Sequence, residues 1–439
     1  MKLQDEVFDV IVIGGGASGM MAAGTAAAAG KKVLILEKNK TLGNKLKITG
    51  GGRCNITNAE YDTHKLLKWY GHAEPFLYSP FSQFGVKDTF SFFESRGLPL
   101  VVQARLRAFP QTEKAHDVFR VLEKYIKTNN VLIKENCTVK KIVREQNNEN
   151  GEATLGDTGN KLARITSLET NQGIFRAKNY ILATGGMSHP ETGSTGDGFD
   201  WLRDLGHTVK TPTPTIVPLS VEDPWVKMLA GTSLTFMKIT FYAESGSKST
   251  KSFFKTGKIL FTHFGLSGPL ILNCASKVAE LLESGAVTAK IDAFPDTDIG
   301  TLDNRIMKIF DKNKNKDLKN IFKEIAPAGT ADAILSILSN MEIPIDSTKK
   351  VHSITKDERK EIAHLLKALP LTITGLMGYD RAVVADGGVA LEEMDMKTMR
   401  SKLFANLLIT GDLLHINRPS GGYSLQLCWT TGFVAGKNA

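Results

Sequence analysis

The sequence of 439 residues predicts an α/β fold in which the two chain ends build one nucleotide-binding domain around an inserted smaller domain. Three observations predict it. The chain opens with a β-α-β run, "FDVIVIGGGASGMMAAGTAAAAGKKVLILEKN". Glycine-punctuated α/β character returns from about residue 375, and Pro212, Pro214 and Pro218 mark a stiff boundary before a stretch of short β-type runs. The expected division is 1–214 for the first part of the nucleotide-binding domain, 215–374 for the insert and 375–439 for the closing part. Within the insert, 215–298 reads as a small β-barrel and 299–370 as helical.

Along the chain, 9–13 reads as a buried strand, 18–29 as an alanine-rich helix and 32–37 as a second apolar strand. Helices and loops mix up to about residue 115. Helical periodicity follows over 116–127, and strand-like alternation over 131–143. The segment 147–160, rich in Gly, Asn and Glu, reads as an exposed hairpin tip. A strand at 175–183 leads into the glycine-rich "ATGGMSHPETGSTGDG". Past the prolines, 234–243, 258–261 and 287–294 are β-type, and 300–369 is helical and lysine-rich.

Composition is that of a globular protein, with 42% hydrophobic and 23% charged residues. The opening is acidic and polar, not basic then apolar, so no secretory leader is expected. Residues 10–30 are mostly Gly and Ala interrupted by three consecutive glycines, so no membrane span is expected there. The four cysteines, Cys54, Cys137, Cys274 and Cys428, form no close pair. That spacing points to a reducing, cytoplasmic setting and excludes a local dithiol redox motif. The nine His and four Cys form no ligand-spaced cluster, so no metal is expected. A formal charge of +9 is compatible with a nucleic-acid partner without requiring one.

Gly14, Gly16 and Gly19 stand in G-x-G-x-x-G spacing between the first strand and helix, the context in which that motif cradles a dinucleotide. Gly14 permits the tight turn, Gly16 a close approach to the pyrophosphate, and Gly19 close packing of helix on strand. Ala17 and Ser18 open the helix, whose free N–H groups face the phosphates. Glu37, followed by Lys38, ends the second strand where a carboxylate can accept from ribose hydroxyls. Two distal features favour FAD over NAD. Gly411-Asp412 follows a buried strand, where an Asp can bond a ribityl chain. Gly421-Gly422-Tyr423 opens a helix whose N-terminus can stabilise the negative charge of a reduced flavin. No second G-x-G-x-x-G occurs mid-chain, so NADH or NADPH is expected as a transient reductant without a domain of its own.

The segments "GNKLKITGGGRCNITN" (43–58), "ATGGMSHPETGSTGDG" (183–198), "THFGLSGPLIL" (262–272), "ADGGVALEEMDMKTMRSK" (385–402) and "TGDLLHINRPSGGYSLQ" (410–426) resemble bacterial flavoproteins of the BaiN/RdsA type, also called HI-0933-like. The resemblance runs the length of the chain. It implies a Rossmann-type FAD-binding domain interrupted by a barrel and a helical insert, and NAD(P)H-dependent reduction of a carbon–carbon double bond. Together with the motifs it adds Lys45, Gly51, Gly52, Arg53, Val139, Ala183, Thr184, Gly185 and Gly186 to the expected FAD contacts. The sequence departs from the family pattern at Asp412, where Glu is common, near His415, at Ser424, and at Leu106-Arg107-Ala108 before "FP". The last three weaken any transfer of substrate identity.

Three residues carry the expected chemistry. Cys54 is a thiol able to protonate the carbanion left by hydride addition, or a small buried packing residue. Arg53 can counter phosphate or reduced-flavin charge, and His263 reaches the pocket from the insert. Among the family's activities, reduction of a uridine of 23S ribosomal RNA to dihydrouridine fits the positive charge. It also fits the lysine runs "KSTKSFFKTGK" (248–258) and "KIFDKNKNKDLKNIFK" (308–323). A small-molecule ene-reductase or oxidase, acting on a bile-acid-like enone or an aminoketone, is the alternative. A non-enzymatic flavin sensor is the third reading.

Overall fold

Phe8, Val10, Ile11 and Val12 are all fully buried, as a strand covered on both faces requires. That strand, Val7–Ile13 (β1), runs parallel to Val33–Leu36 (β2), with helix Ala17–Ala28 (α1) crossing between them. The residues of the Gly- and Ala-rich stretch 10–30 thus divide mainly between a strand and a helix. The computed structural model describes residues 6–145, 162–245 and 248–439, so the hairpin tip expected at 147–160 lies outside the described residues. Leu132–Lys134 (β3), Gly173–Leu182 (β4) and Leu407–Ile409 (β5) complete a parallel set in the order β5-β4-β1-β2-β3. Met394–Asp395 and Arg400–Ser401 extend it antiparallel beyond β5.

The alternation at 131–143 belongs to two strands, not one. Leu132–Lys134 pairs with β2, whereas Val139–Arg144 pairs with Ile165–Thr170. Between them Asn136 takes φ 52°, a left-handed conformation that Asn tolerates and that ends the first strand.

The C-terminal helix, Tyr423–Asn438 (α2), packs against α1 at close range. A Cβ at Gly432 would fall 2.5 Å from the Ser18 carbonyl oxygen, and one at Gly436 would fall 2.3 Å from that of Ala22. Only glycine at both positions lets the two backbones meet. The far side of α2 is tied down by buried polar bonds. Trp429 Nε1 donates to the Ile56 carbonyl (3.0 Å), and Gln426 Oε1 accepts from the hydroxyls of Thr57 (2.6 Å) and Thr89 (3.0 Å).

The chain divides into two compact units, Met1–Pro214 with Val383–Ala439, and Thr215–Ala382. The second contains a closed barrel of Leu219–Val221, Gly265–Ser267, Lys248–Thr262, Ser233–Ser245, Val287–Asp292 and Leu369–Leu376. The division expected from sequence therefore shifts. The barrel does not end at 298, because Leu369–Leu376 closes it by pairing with both Val287–Asp292 and Leu219–Val221. The C-terminal part of the first unit begins at Val383 instead of 375. Helices Ile299–Lys312, Ala331–Ser339 and Lys356–Lys367 fill the gap between the last two barrel strands. Their buried Ile306, Ile334 and Leu366 share a core with barrel residues Ile239, Phe241 and Phe261. No helix among the described residues is long and apolar enough to cross a membrane.

Candidate cofactor cleft

Parallel strands end on the same side, so the loops after β2, β1, β4 and β5 meet along one edge of the sheet. A cleft of about 1220 Å³, counted out to its open mouth, lies there. Gly14, Gly16, Ala17 and Ser18 line it after β1, Glu37 and Lys38 after β2, Ala183, Thr184 and Gly185 after β4, and Asp412 after β5. Lys45 and Val139 line it as well.

The turn after β1 is shaped by contact. Gly14 has φ 101°, and a Cβ on it would sit 2.6 Å from the Ala183 carbonyl oxygen. A Cβ on Gly19 would sit 1.9 Å from the Gly14 carbonyl oxygen, so Gly19 lets helix and turn close without itself lining the cleft. Gly16 faces the opening, with no protein atom within 4 Å of where its Cβ would be. It precedes α1 with no side-chain cap and no acidic residue in the first turn. The first N–H groups of α1 and its partial positive charge are thereby left for an anion.

Glu37 is fixed by backbone. Its Oε2 accepts from Gly15 N and its Oε1 from Asn39 N, both at 2.8 Å, and the residue is 6% exposed. The next two residues reach across the cleft. Lys38 Nζ lies 2.8 Å from Asp197 Oδ2 and bonds the Thr195 hydroxyl, and Asn39 Nδ2 donates to the Thr192 carbonyl (3.0 Å). The Asp197 carboxyl stays below its usual range: burial opposes this, but the bonds from Lys38 and Thr195 outweigh it. Asp412 is held differently. The Arg418 guanidinium bonds its Oδ1, and Lys45 Nζ stands 3.7 Å from its Oδ2 while also bonding the Ser188 hydroxyl. Burial alone would raise the Asp412 pKa, yet these two cations lower it.

Among the described residues three buried side-chain oxygens lack a hydrogen-bond partner: Thr184 Oγ1, Asn55 Oδ1 and Asp386 Oδ1, the last standing 3.7 Å from His415 Nε2. Thr184 stands in the cleft wall. A buried hydroxyl left without a partner costs about 1–3 kcal/mol, which a ligand can recover. An open helix N-terminus, an orphaned hydroxyl and a carboxylate on either side fit a dinucleotide with linked phosphates. The HI0933-like protein Rossmann domain matches residues 8–438. The chain belongs to the HI0933-like family.

Two relatives of this HI0933-like chain match over nearly its whole length. A 3-dehydro-bile acid delta(4,6)-reductase of Clostridium scindens is 28% identical, covering 93% of this chain and 92% of its own. A ribosomal RNA dihydrouridine synthase of Haemophilus influenzae is 27% identical, covering 97% and 96%. Among solved structures, the 3-ketosteroid delta1-dehydrogenase of Sterolibacterium denitrificans shares the fold, with a TM-score of 0.51, 12% identity and 98% of each chain covered.

Other expected site residues of the HI0933-like chain lie off the cleft wall. Cys54 is 0% exposed in the hydrophobic core, at φ 60°, and burial pushes its thiol up to about 12. Cys54 is not among the residues that line the cleft. Arg53 is half-exposed, 3.4 Å from Glu113 Oε1 and stacked over Phe109 at 4.6 Å. Gly51 and Gly52, at φ 67° and 85°, present bare backbone to open space. Gly186, Gly411 and Gly422 serve close packing: Cβ atoms there would meet Asp412 Cβ at 3.3 Å, Ser18 Oγ at 3.1 Å and Thr57 C at 2.2 Å. Gly421, at φ 127°, turns the chain toward Tyr423, whose ring lies against Tyr70 and Trp69. His263 belongs to the other unit, exposed in a strand turn with its ring 5.1 Å from Phe264.

Sequence reasoning missed Cys137, Thr138, Asp197, Trp201 and Cys428 as cleft-lining residues. The glycine-rich loop before Asp197 was a visible signal. Cys137 and Cys428 carried none, since their placement depends on which strands and helices are neighbours.

Proposed function

We propose that this protein is an FAD-dependent oxidoreductase that reduces a conjugated carbon–carbon double bond, most readily that of a uridine in ribosomal RNA. The observation carrying the cofactor reading is the junction of four strand ends into one cleft, with the uncapped N-terminus of α1 opening onto it. When bound and reduced by a nicotinamide, FAD supplies a hydride to the electron-poor carbon of such a bond. In this reading the first amides of α1 hold the pyrophosphate, and Glu37, locked by Gly15 N and Asn39 N, accepts from a ribose. Asp412 and Lys45 would hold the ribityl chain, and the uncrowded backbone at Gly51 and Gly52 would leave room for a flat ring reaching out of the cleft. The segment 192–197, held by Lys38 and Asn39, forms part of the cleft wall.

For the substrate, support comes from the relative named as a ribosomal RNA dihydrouridine synthase and from the net charge of +9. A base in structured RNA must leave its stack to reach a cofactor in a cleft. The second reading, reduction of a small enone, is favoured by the bile-acid reductase relative at nearly equal identity.

The test has two stages. Purified protein is expected to be yellow, to carry one FAD and to bleach anaerobically with NADH or NADPH. Ribosomal RNA from cells lacking the gene is then expected to lose one dihydrouridine. Colourless protein that takes up no added FAD defeats the cofactor reading. A yellow protein with unchanged RNA, but with turnover on a steroidal enone, moves the substrate to the small-molecule class.

A further inference from the structure

The sequence "KSTKSFFKTGK" places two phenylalanines side by side among lysines, and strand geometry separates them. Phe253 turns inward and stacks on Phe241 at 4.8 Å, whereas Phe254 turns outward and is 50% exposed. A bulge decides which lysine joins it. The register runs Phe241↔Phe253 and then Tyr242↔Lys251, so one residue of the second strand is skipped. Without that extra residue Lys251 and Phe254, three apart, would lie on opposite faces. With it, both share the face opposite the buried Ile239 and Phe241.

Thr240 is the centre of this face. Phe254 is its cross-strand partner on one side and Lys290 on the other, with Lys238 and Tyr242 two positions away along its own strand. The Lys238 and Lys251 ammoniums lie 4.8 and 5.0 Å from the centre of the Phe254 ring, and Lys290 lies 5.5 Å from that of Tyr242. Among the described residues none of the three lysines is ion-paired. Two cations held at one half-exposed ring, neither ion-paired to a carboxylate, offer charge and a flat apolar face together, which suits a polyanion that carries flat groups. Phosphates would take the ammoniums and a base would take the ring.

We infer that this outer barrel face binds single-stranded RNA, with a base stacked on Phe254 and phosphates held by Lys238, Lys251 and Lys290. The inference rests on the RNA reading of the substrate and adds the surface that recruits it. It needs no sequence preference, because every base offers a π-face. The face lies within the barrel unit alone and is built on strands, so its geometry does not depend on a mobile loop.

The test measures anisotropy of a labelled oligouridine of about twelve nucleotides, a length within the usual single-strand site range, against the FAD-loaded full chain. Phe254→Ala is expected to weaken binding about tenfold, a typical loss for one stacked base. Lys238→Gln with Lys251→Gln and Lys290→Gln is expected to lower the salt dependence of log K by about 2, at roughly 0.7 per lost phosphate contact. A control triple, Lys308→Gln with Lys312→Gln and Lys316→Gln, removes equal charge elsewhere on the same unit and is expected to have less effect. Unchanged melting temperatures and NADH bleaching report intact folding. If the control weakens binding as much as the barrel triple, or Phe254→Ala binds like the parent, the surface assignment is overturned while the RNA reading stands. If the parent chain binds no oligouridine but binds vesicles containing phosphatidylserine, both the assignment and the RNA reading fall.

Discussion

Glu37 and Asp412 face the same cleft from strands β2 and β5, three strand spacings or about 14 Å apart. They are held by opposite means. Glu37 accepts from two backbone amides, so its orientation is set by the turn that made the cradle. Asp412 is held by two side-chain cations, one of them an Arg418 whose side chain is only 1% exposed. A carboxylate fixed by backbone is a rigid acceptor. A carboxylate fixed by cations belongs to a charge cluster whose balance changes when another anion arrives, and FAD brings phosphates. The comparison teaches that one side of the cleft is preformed and the other is electrostatically adjustable.

The largest effect is expected for Asp412→Ala. It leaves the buried Arg418 charge uncompensated, which is expected to cost about 3–5 kcal/mol in chemical denaturation of the apoprotein. A loss below about 1 kcal/mol, the range of an exposed pair, would mean that solvent already compensates Arg418. The acid side sharpens the same point. Because its folded pKa is depressed, Asp412 contributes stability above the ordinary carboxylate range. That contribution is lost as pH falls through the folded value. Asp412→Asn should flatten this part of the stability–pH profile; an unchanged profile would assign the acid sensitivity to other carboxylates.

Next comes Glu37→Ala, which strands the Gly15 and Asn39 amides. About 1–3 kcal/mol of stability and a weaker FAD affinity are expected, read by unfolding and by flavin fluorescence titration. Glu37→Gln keeps one acceptor oxygen and should fall between, whereas equal losses in the two variants would mean that charge and not hydrogen bonding matters there. Smaller still, Cys54→Ala removes a buried thiol and is expected to cost about 1 kcal/mol while leaving turnover per bound flavin unchanged. Slowed turnover in folded, FAD-loaded protein would restore Cys54 as a proton donor. The smallest effect is expected for Arg53→Ala, whose half-exposed pair with Glu113 is worth under about 1 kcal/mol in unfolding experiments.

A buried hydrogen-bond chain elsewhere in the first unit marks the limits of reading chemistry from residue types. Glu393, His207 and Ser401 are linked at 2.8 and 2.9 Å in the order of a hydrolase triad. Yet Ser401 Oγ also accepts from Leu403 N (3.0 Å) and Phe404 N (3.1 Å), and His207 is 4% exposed. A hydroxyl that caps two amides in a closed core is a structural tie.

The amino-acid sequence alone determined the β-α-β opening, the glycine turn at 14–19, the position of Glu37 at a strand end and the glycine before Asp412. Each depends on backbone demands within a few consecutive residues, so the signal is local. The proline cluster lies where the chain passes from one compact unit to the other, at Pro214 and Thr215. Tertiary structure alone decided that the loops after β2, β1, β4 and β5 share an edge, that Arg418 and Lys45 flank Asp412, and that Cys54 faces the core. It also closed the barrel with Leu369–Leu376, a strand that starts 77 residues after its partner Val287–Asp292 ends, and put Lys251 beside Phe254 through a single skipped residue. Pairing across such distances is chosen by the packing of whole sheets, and no window of neighbouring residues contains it.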